Sequence, residues 1–186
     1  HLWKLHPDMD TIVSEVLARD AKARVVFVEG VIPSLTGLFQ ARLEKHIPSP
    51  LRERVHFLPH QNYEGYLSLL ASADVILDTL HYSGGQTSLE ALAAGTPVIT
   101  LPGDAMRSRS THACYRAMGM EQAGAVAQDT EDYVHKAAAL GMDASARRLL
   151  KQQIQDCNAV LFDNTAIGED HARFFRYAVD RYRQAG

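Results

Sequence analysis

Apolar residues along this chain alternate between helical and extended spacing. From Pro7 to Arg19 they recur at helical intervals, with Ile12, Val13, Val16 and Leu17 on one face. Arg24–Gly30 (RVVFVEG) follows as a continuous β-branched and aromatic run, the pattern of a buried strand. The alternation then repeats. Val31–His46 reads as a helix, Val55–Leu58 as a short strand ended by Pro59, Tyr63–Ala71 as a helix, and Asp74–Thr79 as a strand with a charged start and a buried middle. After the loop His81–Gly85, a helix runs from Gln86 to Ala94, with Gly95 as its cap and Pro97 forbidding continuation. Val98–Leu101 is a strand, Ser108–Met118 a helix stopped by Gly119, and Ala125–Ala127 a last short strand. Asp129 or Thr130 caps a helix to Leu140 with Gly141 as its stop, and Asp143 caps another towards Cys157. From Glu169 to Arg183 an amphipathic pattern predicts Phe174, Phe175, Ala178 and Tyr182 turned inward onto the core.

Strands alternating with helices predict an α/β fold built on a Rossmann-like, doubly wound parallel sheet. No repeat, low-complexity segment or long linker interrupts the pattern, so residues 1–186 read as one domain. At 46% hydrophobic, the chain can fill a sizeable core. A net charge of -3 gives no global basic surface for nucleic acid. No apolar run reaches the roughly 18 residues that span a membrane, and no signal peptide is visible. The two cysteines, Cys114 and Cys157, form neither a disulfide framework nor a Cys-x-x-Cys pair, so a cytoplasmic setting is expected. The chain opens at His1 without a Met, in what reads as the middle of a fold, so a fragment of a larger chain is expected.

In an open parallel sheet, ligands bind beyond the carboxyl ends of the strands. Pro59–Asn62, Leu80–Thr87 and Pro102–Asp104 meet that condition, and the middle stretch is the strongest. Gly84 and Gly85 let backbone N–H groups approach a ligand with no Cβ in the way. Thr87 adds a hydroxyl, and the helix that starts here carries partial positive charge suited to an anion. Glu90 lies one turn into that helix, on the same face as Gln86. A carboxylate there suits sugar hydroxyls better than phosphate, which places a pyrophosphate at the glycines and a ribose at Glu90. The plainer reading is a simple turn, with Glu90 complementing the helix dipole.

Other candidates carry less. His56 and His60 are four apart, but Pro59 breaks any helical ligand face, so no metal is expected. Asp74 and Asp78 read as strand-end hydrogen-bond partners and not as a catalytic carboxylate pair. His81 sits at the loop mouth, within reach of a phosphate or as an ordinary polar residue, and Arg107 or Arg109 either buttresses the site or serves the surface.

The stretch DVILDTLHYSGGQTSLEALAAGTPVITLPG resembles the donor-binding core of the O-GlcNAc transferase and SPINDLY-like glycosyltransferases. The similarity continues through Gly103–Arg109, Ala117–Gly119, Glu131–Tyr133, Ser145–Arg147 and Leu161–Asp163, and reaches back to Leu2-Trp3-Lys4-Leu5-His6-Pro7. It implies the C-terminal half of a GT-B enzyme, in which two Rossmann-like halves face a cleft. It also implies that Lys4 contacts the donor diphosphate and offsets leaving-group charge. Gly84, Gly85, Gln86 and Thr87 would form the phosphate-binding helix start, and Glu90 would take the position of an acidic ribose ligand. The loop after Pro59, particularly Gln61, would offer backbone groups to the uracil edge, with Tyr66 nearby. Two departures stand out. The animal enzymes of the family carry a His in the phosphate loop where this chain has Gly85, and their uracil-side Lys and Arg fall at Tyr63 and Leu69.

The expected function is donor binding in an inverting glycosyltransferase, moving a sugar (GlcNAc favoured) from a UDP-sugar to a protein Ser/Thr or another hydroxyl. GDP is the alternative nucleotide, because SPINDLY-like plant members use GDP-fucose. Partners implied are the nucleotide-sugar donor, a protein or glycan acceptor, an N-terminal GT-B half and TPR repeats, with no cofactor, metal, nucleic acid or membrane. The competing readings are a nucleotide-sugar 2-epimerase of the same fold and a non-catalytic nucleotide-binding or assembly module.

Overall fold

A computed structural model describes residues 2–163 and 165–185. A 3-10 turn at Leu2–Lys4 leads into α1 (Asp8–Arg19), then β1 (Val25–Val28), α2 (Pro33–His46), a short α3 (Ser49–Arg52), β2 (Val55–Leu58) and α4 (Tyr63–Ser72). The second part runs β3 (Ile76–Leu77), α5 (Gln86–Ala93), β4 (Val98–Ile99), α6 (Ser110–Ala117), α7 (Thr130–Met142), α8 (Ala144–Cys157) and α9 (Thr165–Ala185). β1 pairs with β2 in parallel, Val25 opposite Val55 through Val28 opposite Leu58. β3 pairs with β4 in parallel, and Thr100 extends β4 by a parallel bridge to Val126. The expected parallel α/β order is therefore present, with strand ladders shorter than the hydrophobic runs.

α1 joins two cores because adjacent stripes of its surface are both apolar. Val13 and Leu17 pack with Phe39, Leu43 and Ile47 beneath β1 and β2. Ile12 and Val16 pack with Leu92, Ile99, Tyr115, Tyr133 and Ile154 in the larger core. Burying each such aliphatic side chain contributes about 1.5–3 kcal/mol. Leu77 of β3 touches both clusters.

One buried ion pair fixes the amino-terminal segment. Asp10 is fully buried and accepts from Arg42 Nε at 2.8 Å and Arg42 Nη2 at 3.0 Å. The same guanidinium donates to the Leu5 carbonyl at 2.8 Å. Arg42 is therefore tied both to the start of α1 and to the residue that follows Lys4, and it sets where Lys4 emerges.

Helix boundaries follow local chemistry. Asn62 caps α4 by accepting from the Gly65 N–H at 2.8 Å, and Asp129 caps α7 through Asp132 N–H at 2.8 Å. Asp143 caps α8 through the Ser145 and Ala146 N–H groups. Gly95 ends α5 with φ +78.

Four sequence expectations need correction. The run Arg24–Gly30 is not buried throughout: Val26 is 43% exposed, so β1 has one covered face. Asp74–Thr79 contributes only Ile76–Leu77 to a ladder, because Asp78 turns its carboxylate into the following loop. Gly141 does not stop α7, which continues to Met142; a Cβ there would lie 3.2 Å from Asp20 Oδ2, so its smallness serves packing. The tail helix forms over Thr165–Ala185, but Phe174 and Phe175 are each 61% exposed, Tyr182 is 83% exposed, and Ala178 is exposed as well. Amphipathic spacing specifies an apolar face and not the element that covers it. No described helix is long and apolar enough to cross a membrane.

Gly95 offers a direct test of the cap. A Cβ there would sit 2.7 Å from Gln155 Cγ, on a backbone in the left-handed region. Gly95→Ala is expected to destabilise the domain by about 1–2 kcal/mol from the conformation alone, read as a lower urea midpoint with an unchanged slope.

Candidate functional site

Asp78 follows β3 and is 5% exposed. A carboxylate so buried must be fully hydrogen-bonded, and its three donors come from two separate segments. Its Oδ1 accepts from the Gly84 N–H at 2.7 Å. Its Oδ2 accepts from Ser83 Oγ at 2.9 Å and from Thr100 Oγ1 at 2.7 Å. The Tyr133 hydroxyl donates to the Asp78 backbone carbonyl at 2.8 Å. Complete burial, with the Asp78 charge adding to it, pushes the Tyr133 phenol well above its ordinary pKa, so it stays a neutral donor. Asp78 thus fastens the loop His81–Gly85 to β4 and α7.

The loop is further locked from below. Ser83 Oγ accepts from the Thr111 N–H at 3.0 Å, and the Ser83 N–H donates to the Arg107 carbonyl at 2.9 Å. Ser88 Oγ and Thr111 Oγ1 share a hydrogen bond of 2.7 Å. The backbone packs so tightly here that a Cβ on Gly84 would lie 2.1 Å from Ser88 Oγ. Gly85 is different: its hydrogen faces open space, with nothing within 4 Å of a built Cβ. The two glycines therefore have separate reasons. Gly84 is required by packing, whereas Gly85 keeps the mouth of the helix open.

This division amends the sequence reading. The Gly84 N–H does not face a ligand, because Asp78 takes it. Gly85, Gln86 and Thr87 carry the N–H groups at the start of α5, and no described residue accepts from them. Together with the helix dipole they form a surface suited to an anion.

The remaining predicted residues border this helix start on two sides. On one side, Lys4 Nζ donates to the Ser83 carbonyl at 3.0 Å and lies 4.4 Å from the Tyr82 ring centroid. Partial burial lowers the Lys4 pKa, and the negative charge of Asp78 opposes that shift. On the other side, Gln86 Nε2 donates to Glu90 Oε1 at 2.8 Å. Tyr63 of α4 lies beside Glu90, whose carboxylate raises the Tyr63 pKa. Burial raises the Tyr66 pKa, and the Glu90 charge adds to it. Gln61 precedes α4, with its side-chain amide turned to the Pro59 carbonyl at 2.6 Å. Lys4, the α5 start, Glu90, Tyr66 and Gln61 therefore follow one another along one edge of the fold.

Of the secondary candidates, His81 is turned away from the helix start and meets Asp8 at 2.7 Å. Arg109 donates to the Gly103 carbonyl at 2.9 Å. His56 and His60 are absent from the one His/Cys/Asp/Glu cluster found among the described residues, which is His6, Asp8 and His81. Sequence reasoning missed Ser83, Ser88, Thr100 and Thr111, because scattered hydroxyl residues carry no spacing signal. It also missed Tyr63 as a partner of Glu90; its place one turn before Tyr66 on a helix was the available clue.

The fold and the site together define the class: a Rossmann-like unit of the GT-B glycosyltransferase architecture. A solved mutant of the O-GlcNAc transferase of Thermobaculum terrenum superposes with a TM-score of 0.82 at 28% identity, covering 98% of this chain and 35% of that one. WaaG, a glycosyltransferase involved in lipopolysaccharide biosynthesis, shares the fold with a TM-score of 0.59 at 21% identity over 84% of this chain and 40% of that one. The family model for glycosyl transferase family 41 matches residues 39–170, and the chain belongs to that family. It is 34% identical over 93 residues to the UDP-N-acetylglucosamine--peptide N-acetylglucosaminyltransferase of Caenorhabditis elegans, a match covering 49% of this chain and 8% of the relative. A probable tomato (Solanum lycopersicum) enzyme of the same description, SPINDLY, is 28% identical over 109 residues, covering 56% of this chain and 11% of the relative.

The Asp78 assignment carries its own test. Asp78→Ala leaves the buried Gly84 N–H and Thr100 hydroxyl without an acceptor and costs Ser83 one of its partners, at about 1–3 kcal/mol for each orphaned donor before relaxation. A loss of at least about 3 kcal/mol is expected in denaturant unfolding, and a loss within 0–1 kcal/mol would refute the organising role.

Proposed function

We propose that this chain forms the donor-binding part of a glycosyltransferase that moves a sugar from a nucleoside diphosphate to a hydroxyl acceptor. The observation that carries the proposal is the order of groups along one edge. A cationic Lys4 and an open helix start lie together, followed by a carboxylate held by a glutamine beside a tyrosine, then Tyr66 and Gln61. That order matches a diphosphate, a ribose and a base. The diphosphate would bind the N–H groups of Gly85, Gln86 and Thr87, with the Lys4 ammonium beside it. Glu90 would accept from the ribose hydroxyls, exchanging its bond from Gln86 for those of the ligand.

The same arrangement suits the chemistry. As the glycosidic bond to the diphosphate breaks, negative charge grows on the leaving oxygens. A fixed dipole and a point charge at that place stabilise the transition state more than the ground state. The group that takes the acceptor proton is assigned to the remainder of the enzyme. UDP-GlcNAc as donor is supported by relatives that are UDP-N-acetylglucosamine--peptide N-acetylglucosaminyltransferases, and their peptide acceptor supports a protein Ser or Thr hydroxyl here. This chain corresponds to 35% of the solved relative, which supports a second GT-B half as the partner across the cleft. The apolar stripe of α9, with Phe174 and Phe175 exposed, supplies a surface for it.

Isothermal titration with UDP tests the reading. Glu90→Ala is expected to weaken UDP binding about tenfold, equal to about 1.4 kcal/mol, and undiminished affinity would overturn the ribose assignment. In the full-length enzyme, Lys4→Ala is expected to lower kcat by about 100-fold or more, with a smaller change in KM. A variant that changed KM alone would remove Lys4 from leaving-group stabilisation.

A further inference from the structure

Beside the Lys4 segment, three side chains from two distant parts of the chain converge. We propose that His6, Asp8 and His81 form a three-ligand site for a divalent first-row metal ion of the zinc type, which clips the Lys4 segment to the loop preceding Gly84. One potential ligand atom from each residue lies within 4.8 Å of the others. His6 Nδ1 is 3.2 Å from Asp8 Oδ1, and His81 Nε2 is 2.7 Å from Asp8 Oδ2. Ligand atoms around a tetrahedral zinc, with bonds near 2.0–2.1 Å, are separated by about 3.3 Å. The cluster is therefore close to metal-binding dimensions before any ion enters.

The donor set fits this class of ion. Two imidazoles and one carboxylate suit zinc and its neighbours, whereas magnesium and calcium prefer oxygen ligands. With both rings neutral the cluster carries one negative charge, which a cation offsets.

Two features go beyond an ordinary exposed ion pair. Both rings approach the same carboxylate, His81 Nε2 at Asp8 Oδ2 and His6 Nδ1 at Asp8 Oδ1. A divalent ion takes a lone pair from each ring and from the carboxylate together. His81 also adopts φ +64, a left-handed conformation uncommon for a non-glycine residue, and its ring lies edge to face against His6 with centroids 4.5 Å apart. All three side chains are about half exposed, and a cleft of about 350 Å³ lined by Asp8, His81, Leu80 and Gly103 leaves solvent access for entry and for a fourth ligand. No short spacing announces the site, because His81 lies 73 residues from Asp8.

The site does not depend on the donor-binding reading, and its test does not use nucleotide. The full chain, stripped with a chelator, is titrated with Zn²⁺ by calorimetry. One equivalent is expected to bind with a dissociation constant of about 1 μM or tighter, and His81→Ala and His6→Gln are each expected to weaken it at least about tenfold. His112→Ala, which disrupts a pair with Glu121 at 2.9 Å outside the cluster, is expected to leave binding unchanged. Circular dichroism confirms that each variant retains the parent fold, and X-ray absorption on the zinc-loaded chain is expected to show two imidazole ligands. Equal affinity in the parent, His81→Ala and His6→Gln would overturn the proposal, as would binding no tighter than about 100 μM in the parent.

Discussion

The buried carboxylate of Asp78 is the constraint on which the rest of the site depends. A charge at 5% exposure is tolerable only with its donors in place, and those donors are the loop itself, Ser83 and Gly84, together with Thr100 beyond β4. The requirement works in both directions. The loop satisfies the carboxylate, and the carboxylate ties the loop to Thr100. Because the Gly84 N–H is committed inward, the next N–H groups, at Gly85 to Thr87, are the first available to a ligand. The negative charge of Asp78 also favours the charged form of Lys4 against its partial burial.

Elements outside the loop complete the edge by independent means. Arg42 anchors Leu5 and Asp10, and so delivers Lys4 to the Ser83 carbonyl. α4 packs beside α5 and brings Tyr63 and Tyr66 to Glu90. The amino-terminal turn, the central loop and α4 therefore meet, although Lys4 and Glu90 lie far apart in sequence. A nucleotide bound as proposed would touch all three.

Much of this was legible in the amino-acid order. The helix start at Gln86, the stop at Gly95 and the caps Asp129 and Asp143 follow from local backbone chemistry, which the sequence reports directly. The order of strands and helices, and the resemblance carried by residues 74–103, pointed to the loop that Asp78 anchors. What escaped was long-range or a matter of which atom a group faces. Asp78 was legible as a strand-end hydrogen-bond partner, but not as the side-chain acceptor that joins the loop to Thr100. Gly84 and Gly85 look alike in sequence, yet one touches Ser88 and the other faces open space. The stripe of Phe174, Phe175 and Tyr182 was plain as periodicity, while its exposure depends on surroundings that periodicity does not encode.

The central claim is that the loop fixed by Asp78 presents the start of α5 to a diphosphate. Hydrogen–deuterium exchange of the full chain with and without UDP measures this most directly. The account predicts slowed exchange at Gly85, Gln86 and Thr87, with the segment Tyr63–Tyr66 protected alongside. Saturating UDP that left those amides unchanged, with protection appearing only elsewhere in the domain, would contradict it.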